Sequence, residues 1–248
     1  MVHASATRDP SPSDYLERFR QFAGSLTPDE RLVLKEQLSA GIVQHFDDDN
    51  SLKADSLAED GFPRLAHMLR ACTERSDRMP LNGIAYRGFP QWLTDPLLRG
   101  LQAEAEKRRH EPLDRTDHFL GCGGELADEL ANDEALVSFV EKCVGRIAPT
   151  GIASYLFYDR AGLGIRPHVD TEVFSLNLMI MLRHDVPASL TPSATRIFPA
   201  EGPSEEHRLA VGEAMLMYGN SVVHTRSPIA EGEVVHLLTI GFSTIDVH

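Results

Sequence analysis

From Gly151 onward the chain reads as short apolar runs. These are Ile152 to Tyr158, Ile165 to Val169, Val173 to Leu182, Thr195 to Phe198, Ala214 to Tyr218, Ser221 to Thr225 and Val234 to Phe242, joined by Gly, Pro, Asp and Ser. The residues before them carry helical periodicity instead. Helices first and closely spaced strands afterwards predict an α+β chain whose second half is a sandwich or barrel. No internal repeat interrupts that pattern.

The helical half starts behind a Ser-, Pro- and Ala-rich stretch, residues 1 to 12, expected to be a loose tail. Tyr15, Phe19 and Phe22 fall at helical spacing. Thr27-Pro28-Asp29-Glu30 follows, with a cap, a proline at the first helical position and acids in the first turn, which predicts a strong helix start. The apolar face Leu32, Leu34, Leu38, Ile42 and Val43 runs to an acidic turn at Asp47 to Asn50, and a further helix is expected over Phe62 to Thr73. These helices form an appendage, residues 1 to 80, that could cover a barrel face, cap an entrance or make a homodimer. Next come a short strand, Asn82 to Pro90, and a helix over Trp92 to His110 with Asp95 as cap. An irregular stretch from Asp114 to Gly124 and helical periodicity from Glu125 to Ile147 complete this half. Arg99, Lys107, Arg108 and Arg109 read as a solvated helix face.

Chemistry enters at Ile165-Arg166-Pro167-His168-Val169-Asp170-Thr171. On an extended segment every second side chain shares a face, so His168 and Asp170 can hold one ion between them. Val222-Val223-His224, at the end of a later strand-like run, supplies a third donor. Two neutral imidazoles and a carboxylate on one side of a metal make the facial arrangement of non-haem Fe(II) oxygenases. The spacing alone is not selective, because 11 His among 37 acidic residues repeat it by chance, as at His45-Phe46-Asp47. His45 ends a helical pattern and runs into an acidic turn, so that pair reads as a solvated helix end.

The totals exclude other classes. A formal net charge of -13 and no basic patch argue against a nucleic-acid partner. No apolar run reaches the ~20 residues of a membrane span, and the start has no signal-peptide pattern, so a cytoplasmic protein is expected. Cys72, Cys122 and Cys143 are odd in number and far apart, which fits free thiols in a reducing compartment.

Several segments recur together in a known order. Tyr155-Leu-Phe-Tyr158-Asp-Arg-Ala-Gly162-Leu-Gly164 precedes His168-Val-Asp170 and a hydrophobic strand. Gly212-Glu-Ala-Met-Leu-Met-Tyr218-Gly219, Val223-His224-Thr-Arg-Ser-Pro228 and a last strand ending Ile240-Gly241-Phe242 follow. In this order residues 83 to 248 resemble the Fe(II)- and 2-oxoglutarate-dependent dioxygenases. The resemblance implies a double-stranded β-helix (jelly roll, cupin-like) core with flanking helices over residues 81 to 248, and Fe(II) held by His168, Asp170 and His224. It also implies 2-oxoglutarate and O2 as cosubstrates, succinate and CO2 as products, and hydroxylation or other oxidation of a substrate. No segment marks that substrate, and the acidic charge leaves a small molecule, an amino acid or a secondary-metabolism intermediate, as the expectation. The carboxylate at Asp170 disfavours halogenation, whose enzymes carry a small residue there.

One departure concerns the cosubstrate. The family usually places Arg or Lys on the last strand to pair with the far carboxylate of 2-oxoglutarate, whereas this chain has His236. An imidazole holds a carboxylate less well than a bidentate guanidinium. Arg226, two residues past His224, is the expected substitute, helped by His236 and Tyr155, with Arg183 and Arg196 as further candidates. Tyr158, Arg166 and Asn177 are candidate substrate-pocket residues. The missing base also leaves open a 2-oxoglutarate-independent non-haem iron oxidase or cupin-type metalloenzyme on the same barrel.

Overall fold

A computed structural model describes residues 12–47, 51–73, 78–111, 113–115 and 117–245. The expected loose tail falls almost wholly outside these. The side chains of His45 and Asp47 lie outside the described residues as well.

Three helices open the chain: α1 (Pro12–Ser25), α2 (Pro28–Asp47) and α3 (Ser51–Cys72). The start of α2 is closed by a reciprocal pair. The Thr27 backbone N–H donates to Glu30 Oε2 at 2.8 Å and the Glu30 N–H donates to Thr27 Oγ1 at 3.3 Å. After β1 (Ile84–Gly88) comes α4 (Asp95–Arg109), capped by Thr94 rather than Asp95, since the Thr94 hydroxyl accepts from the Leu97 N–H. The stretch expected to be irregular holds a hairpin, β2 (Leu113–Asp114) and β3 (Phe119–Cys122). The single helical pattern after it is two helices, α5 (Glu125–Ala131) and α6 (Glu134–Val144). Asp133 breaks it by capping the second, its carboxylate accepting from the Leu136 N–H at 2.9 Å.

The remaining strands are β4 (Ile147–Tyr158), β5 (Ile165–His168), β6 (Leu176–Asp185), β7 (Thr195–Phe198), β8 (Glu205–His207), β9 (Ala214–Met217), β10 (Val223–Arg226) and β11 (Val234–Thr244). They pair antiparallel throughout into a seven-stranded sheet, β1-β9-β6-β11-β4-β3-β2, and a four-stranded sheet, β5-β10-β7-β8. Both sheets line one cavity, through Leu156, Met179 and Leu237 of the large sheet and Ile165, Thr195 and His224 of the small one.

Helices cover both outer faces. Against the large sheet, α4 to α6 bury Leu101, Leu130, Leu136 and Val140 into the main core with Tyr155 and Phe157. Arg109 is part of this packing rather than a solvated residue. It pairs with Asp159 and stacks over the Phe119 ring at 4.1 Å. On the small sheet, α2 and α3 lie against β5, β7 and β10. Here Phe62 and Leu69 meet Phe198 and Val223, the Phe62 and Phe198 ring centroids 4.7 Å apart. The N-terminal helices thus bury the outward faces of the strands whose inward faces carry His168 and His224. No helix among the described residues is long and apolar enough to cross a membrane.

Candidate metal centre

Strand pairing places the first two donors. In the antiparallel β5–β10 pair His224 lies directly opposite His168. Opposite residues share a face, and both rings enter the cavity. Asp170 comes from the loop beyond β5, not from the strand itself. Its backbone N–H donates to the Gly219 carbonyl at 2.9 Å, which turns the carboxylate back toward the histidines. Gly219 is required there, because a Cβ would stand 2.2 Å from Asp170 Oδ2 and 2.8 Å from the Phe174 carbonyl.

The donor atoms converge. The Nε2 atoms of His168 and His224 each lie 3.5 Å from Asp170 Oδ1. All three candidate ligand atoms lie within 4.8 Å of one another. Donors held about 2.1 Å from a shared ion and roughly at right angles are ~3 Å apart, so these separations suit a small divalent ion. The tautomers suit it too. His168 Nδ1 donates to the Arg166 carbonyl at 2.8 Å and His224 Nδ1 donates to the Val222 carbonyl at 2.9 Å, so that when the rings are neutral both Nε2 lone pairs face Asp170. The second carboxylate oxygen is occupied, since Asn177 Nδ2 donates to Asp170 Oδ2 at 2.8 Å. One oxygen therefore remains for an ion.

The charges are coupled. Burial pushes the Asp170 carboxyl up, but the charge of His224 and the hydrogen bonds to both histidines outweigh it and hold the group below the usual carboxylate range. Burial works to lower the His224 imidazole, and Asp170 overrides it, so its proton is held more tightly than usual.

The cavity around the three donors has a volume of about 310 Å³. Arg226 and Tyr158 line it. Arg226 is two residues beyond His224 on β10 and so shares its face. It is 5% exposed, its Nη2 donates to Ser193 Oγ at 2.7 Å, and its carbon Cζ lies 5.3 Å from the centre of the Tyr158 ring. Burial, with Asp117 and Asp170 nearby, pushes the Tyr158 phenol well up against the opposing pull of Arg226.

Three sequence candidates do not reach the cavity. His236 lies opposite Phe157 in the β4–β11 pair, and Leu237 and Thr239 take the inward positions. Its ring is packed edge-on to Phe157 at 5.0 Å, with Nδ1 3.5 Å from Glu106 of α4. Tyr155 shares that outer face, and its hydroxyl donates to Glu104 at 2.6 Å. Arg166 has an exposed side chain, and only its carbonyl serves the site. The alternatives Arg183 and Arg196 pair on the outside, with Asp185 and Glu106 and with Glu206. Asn177 does reach the cavity wall.

The structure adds His118, which lines the cavity and whose Nδ1 donates to Asp117 Oδ1 at 2.6 Å. No motif marked it. Only the β2–β3 hairpin brings it beside the large sheet.

No protein-family model and no curated protein sequence matches the chain. Solved structures do match. The non-haem, α-ketoglutarate-dependent epimerase SnoN from nogalamycin biosynthesis superposes with a TM-score of 0.55 at 16% identity, over 73% of this chain and 84% of that one. A prolyl-4-hydroxylase from Pseudomonas putida gives 0.52 at 18% identity, over 72% and 100%. AviO1 from Streptomyces viridochromogenes Tue57 gives 0.52 at 16% identity, over 71% and 97%. Residue-level likeness at these identities is slight, and the similarity lies in the arrangement of sheets and helices. The chain has the fold that these solved structures share.

Proposed function

We propose that this protein is a non-haem Fe(II)- and 2-oxoglutarate-dependent oxygenase that hydroxylates or otherwise oxidises a small molecule, an amino acid or a secondary-metabolism intermediate. On this reading the two facing sheets are the sides of a double-stranded β-helix spanning residues 81 to 248, and residues 1 to 80 are its helical cover. The enzyme is taken as cytoplasmic.

The observation that carries the reading is the juxtaposition of His168, Asp170 and His224 with Arg226 on one cavity wall. His168, Asp170 and His224 would hold the ion, which with 2-oxoglutarate and O2 supplies the oxidising chemistry. The charges suit an anionic cosubstrate: a divalent ion and the Arg226 guanidinium stand against the carboxylate of Asp170 and, one serine removed, that of Glu233. Among the described residues Arg226 makes no direct ion pair of its own, and burying a lone guanidinium is costly unless an anion joins it. Tyr158 and the apolar wall exclude water around that anion.

The reading is tested by succinate release from 2-oxoglutarate by the purified protein, with and without Fe(II). Iron-dependent release supports it. One observation favours a second reading: β11 turns no cationic side chain toward the cavity, only Leu237 and Thr239. That pattern suits a 2-oxoglutarate-independent iron oxidase, and O2 uptake with iron but no 2-oxoglutarate would select it.

A further inference from the structure

We infer that Ser193, Glu233 and His184 form a relay that positions the Arg226 guanidinium to receive a ligand carboxylate, an inference that rests on the oxygenase reading above. Glu233 stands in the turn before β11 and is 2% exposed. Its Oε1 accepts from Ser193 Oγ at 2.6 Å, from the Ser193 N–H at 2.8 Å and from His184 Nε2 at 2.9 Å. Its Oε2 accepts from the Ala230 N–H at 3.1 Å. Ser193 Oγ in turn accepts from Arg226 Nη2 at 2.7 Å.

The direction of this chain is unique. Guanidinium only donates and carboxylate only accepts, so the single Ser193 proton points to Glu233 and its lone pairs point to Arg226. Burial opposes the Glu233 charge, and the bonds from Ser193, His184 and Ala230 outweigh it, holding the carboxyl below its ordinary range. Three distant segments meet here: the end of β6, the approach to β7 and the turn between β10 and β11.

A structural arginine beside a buried carboxylate frequently closes its planar fork directly on it. Here a serine separates the two charges. Glu233 offsets part of the cost of burying the cation and fixes one corner of the guanidinium, while Arg226 Nε is buried without a partner. The side chain lines the cavity that holds His168, Asp170 and His224. Ser193, Glu233 and His184 are thus positioning residues acting through Arg226, and the ligand group they serve is the carboxylate of a metal-chelating dicarboxylate.

The test is calorimetric titration of the Mn(II)-loaded full chain with 2-oxoglutarate and with oxalate, which can meet a metal but has no distal carboxylate. Ser193→Ala and Glu233→Gln should each weaken 2-oxoglutarate about tenfold, the loss of one charge-linked hydrogen bond, and leave oxalate unchanged. If Glu233→Gln fails to fold, Ser193→Ala decides alone. Unchanged 2-oxoglutarate affinity, or equal weakening of both ligands, overturns the relay while leaving the oxygenase reading intact. A wild type that binds oxalate but not 2-oxoglutarate overturns both.

Discussion

His168 and His224 face each other across the β5–β10 pair with their ring centroids 4.3 Å apart, and each Nδ1 is tied to the carbonyl two residues before it. This shared geometry aims both Nε2 atoms at Asp170 without help from any other side chain. His168→Ala with His224→Ala should abolish stoichiometric Fe(II) binding, measured as metal per chain after anaerobic loading and desalting.

The same pair gives a pH dependence. His224 is raised above its ordinary value by Asp170, so in the metal-free protein its protonated form is stabilising. That contribution is fully present below the unfolded value near ~6.5 and is lost as pH rises through the folded value. Metal needs the neutral ring and competes with that proton. The thermal shift on adding Co(II) should therefore be larger at pH 8 than at pH 6. Equal shifts would show that His224 is not a ligand.

Asn177 occupies Asp170 Oδ2 and leaves Oδ1 for the ion. Replacing such an outer partner typically costs about 10- to 100-fold in metal affinity. Asn177→Leu should weaken Co(II) binding by that amount, read by calorimetry.

Arg226→Ala should raise the apparent 2-oxoglutarate constant at least about a hundredfold with metal content intact, because breaking a buried charge pair loses about 3 to 5 kcal/mol. His236→Ala should leave that constant unchanged. It should instead lower the melting temperature, since the ring is packed against Phe157 beneath α4. An equal effect of both on 2-oxoglutarate would refute the placement of the two side chains.

Phe62 joins α3 to Phe198 on the outer face of the small sheet. Phe62→Ala should cost about 3 to 5 kcal/mol of stability in chemical denaturation. Metal stoichiometry of the folded fraction should not change, because the helices contribute no ligand among the described residues.

Local patterns carried a good deal of this. The placement of Arg226 on the face of His224, the Thr27-Pro28 helix start and most of the second-half strands are properties of neighbouring residues, and alternation or capping expresses them directly. Alternation also divides β4 and β11 into two faces, but it does not say which face is the cavity. The resemblance points to His236 and Tyr155 as cosubstrate residues, but both stand on the faces of β11 and β4 that pack against α4. Asp170 needed the Gly219 carbonyl to complete its approach, His118 needed a hairpin, and Ser193, Glu233 and His184 needed three segments to meet. Those contacts join residues far apart in the chain, and only the packing of one sheet over the other brings them within bonding distance.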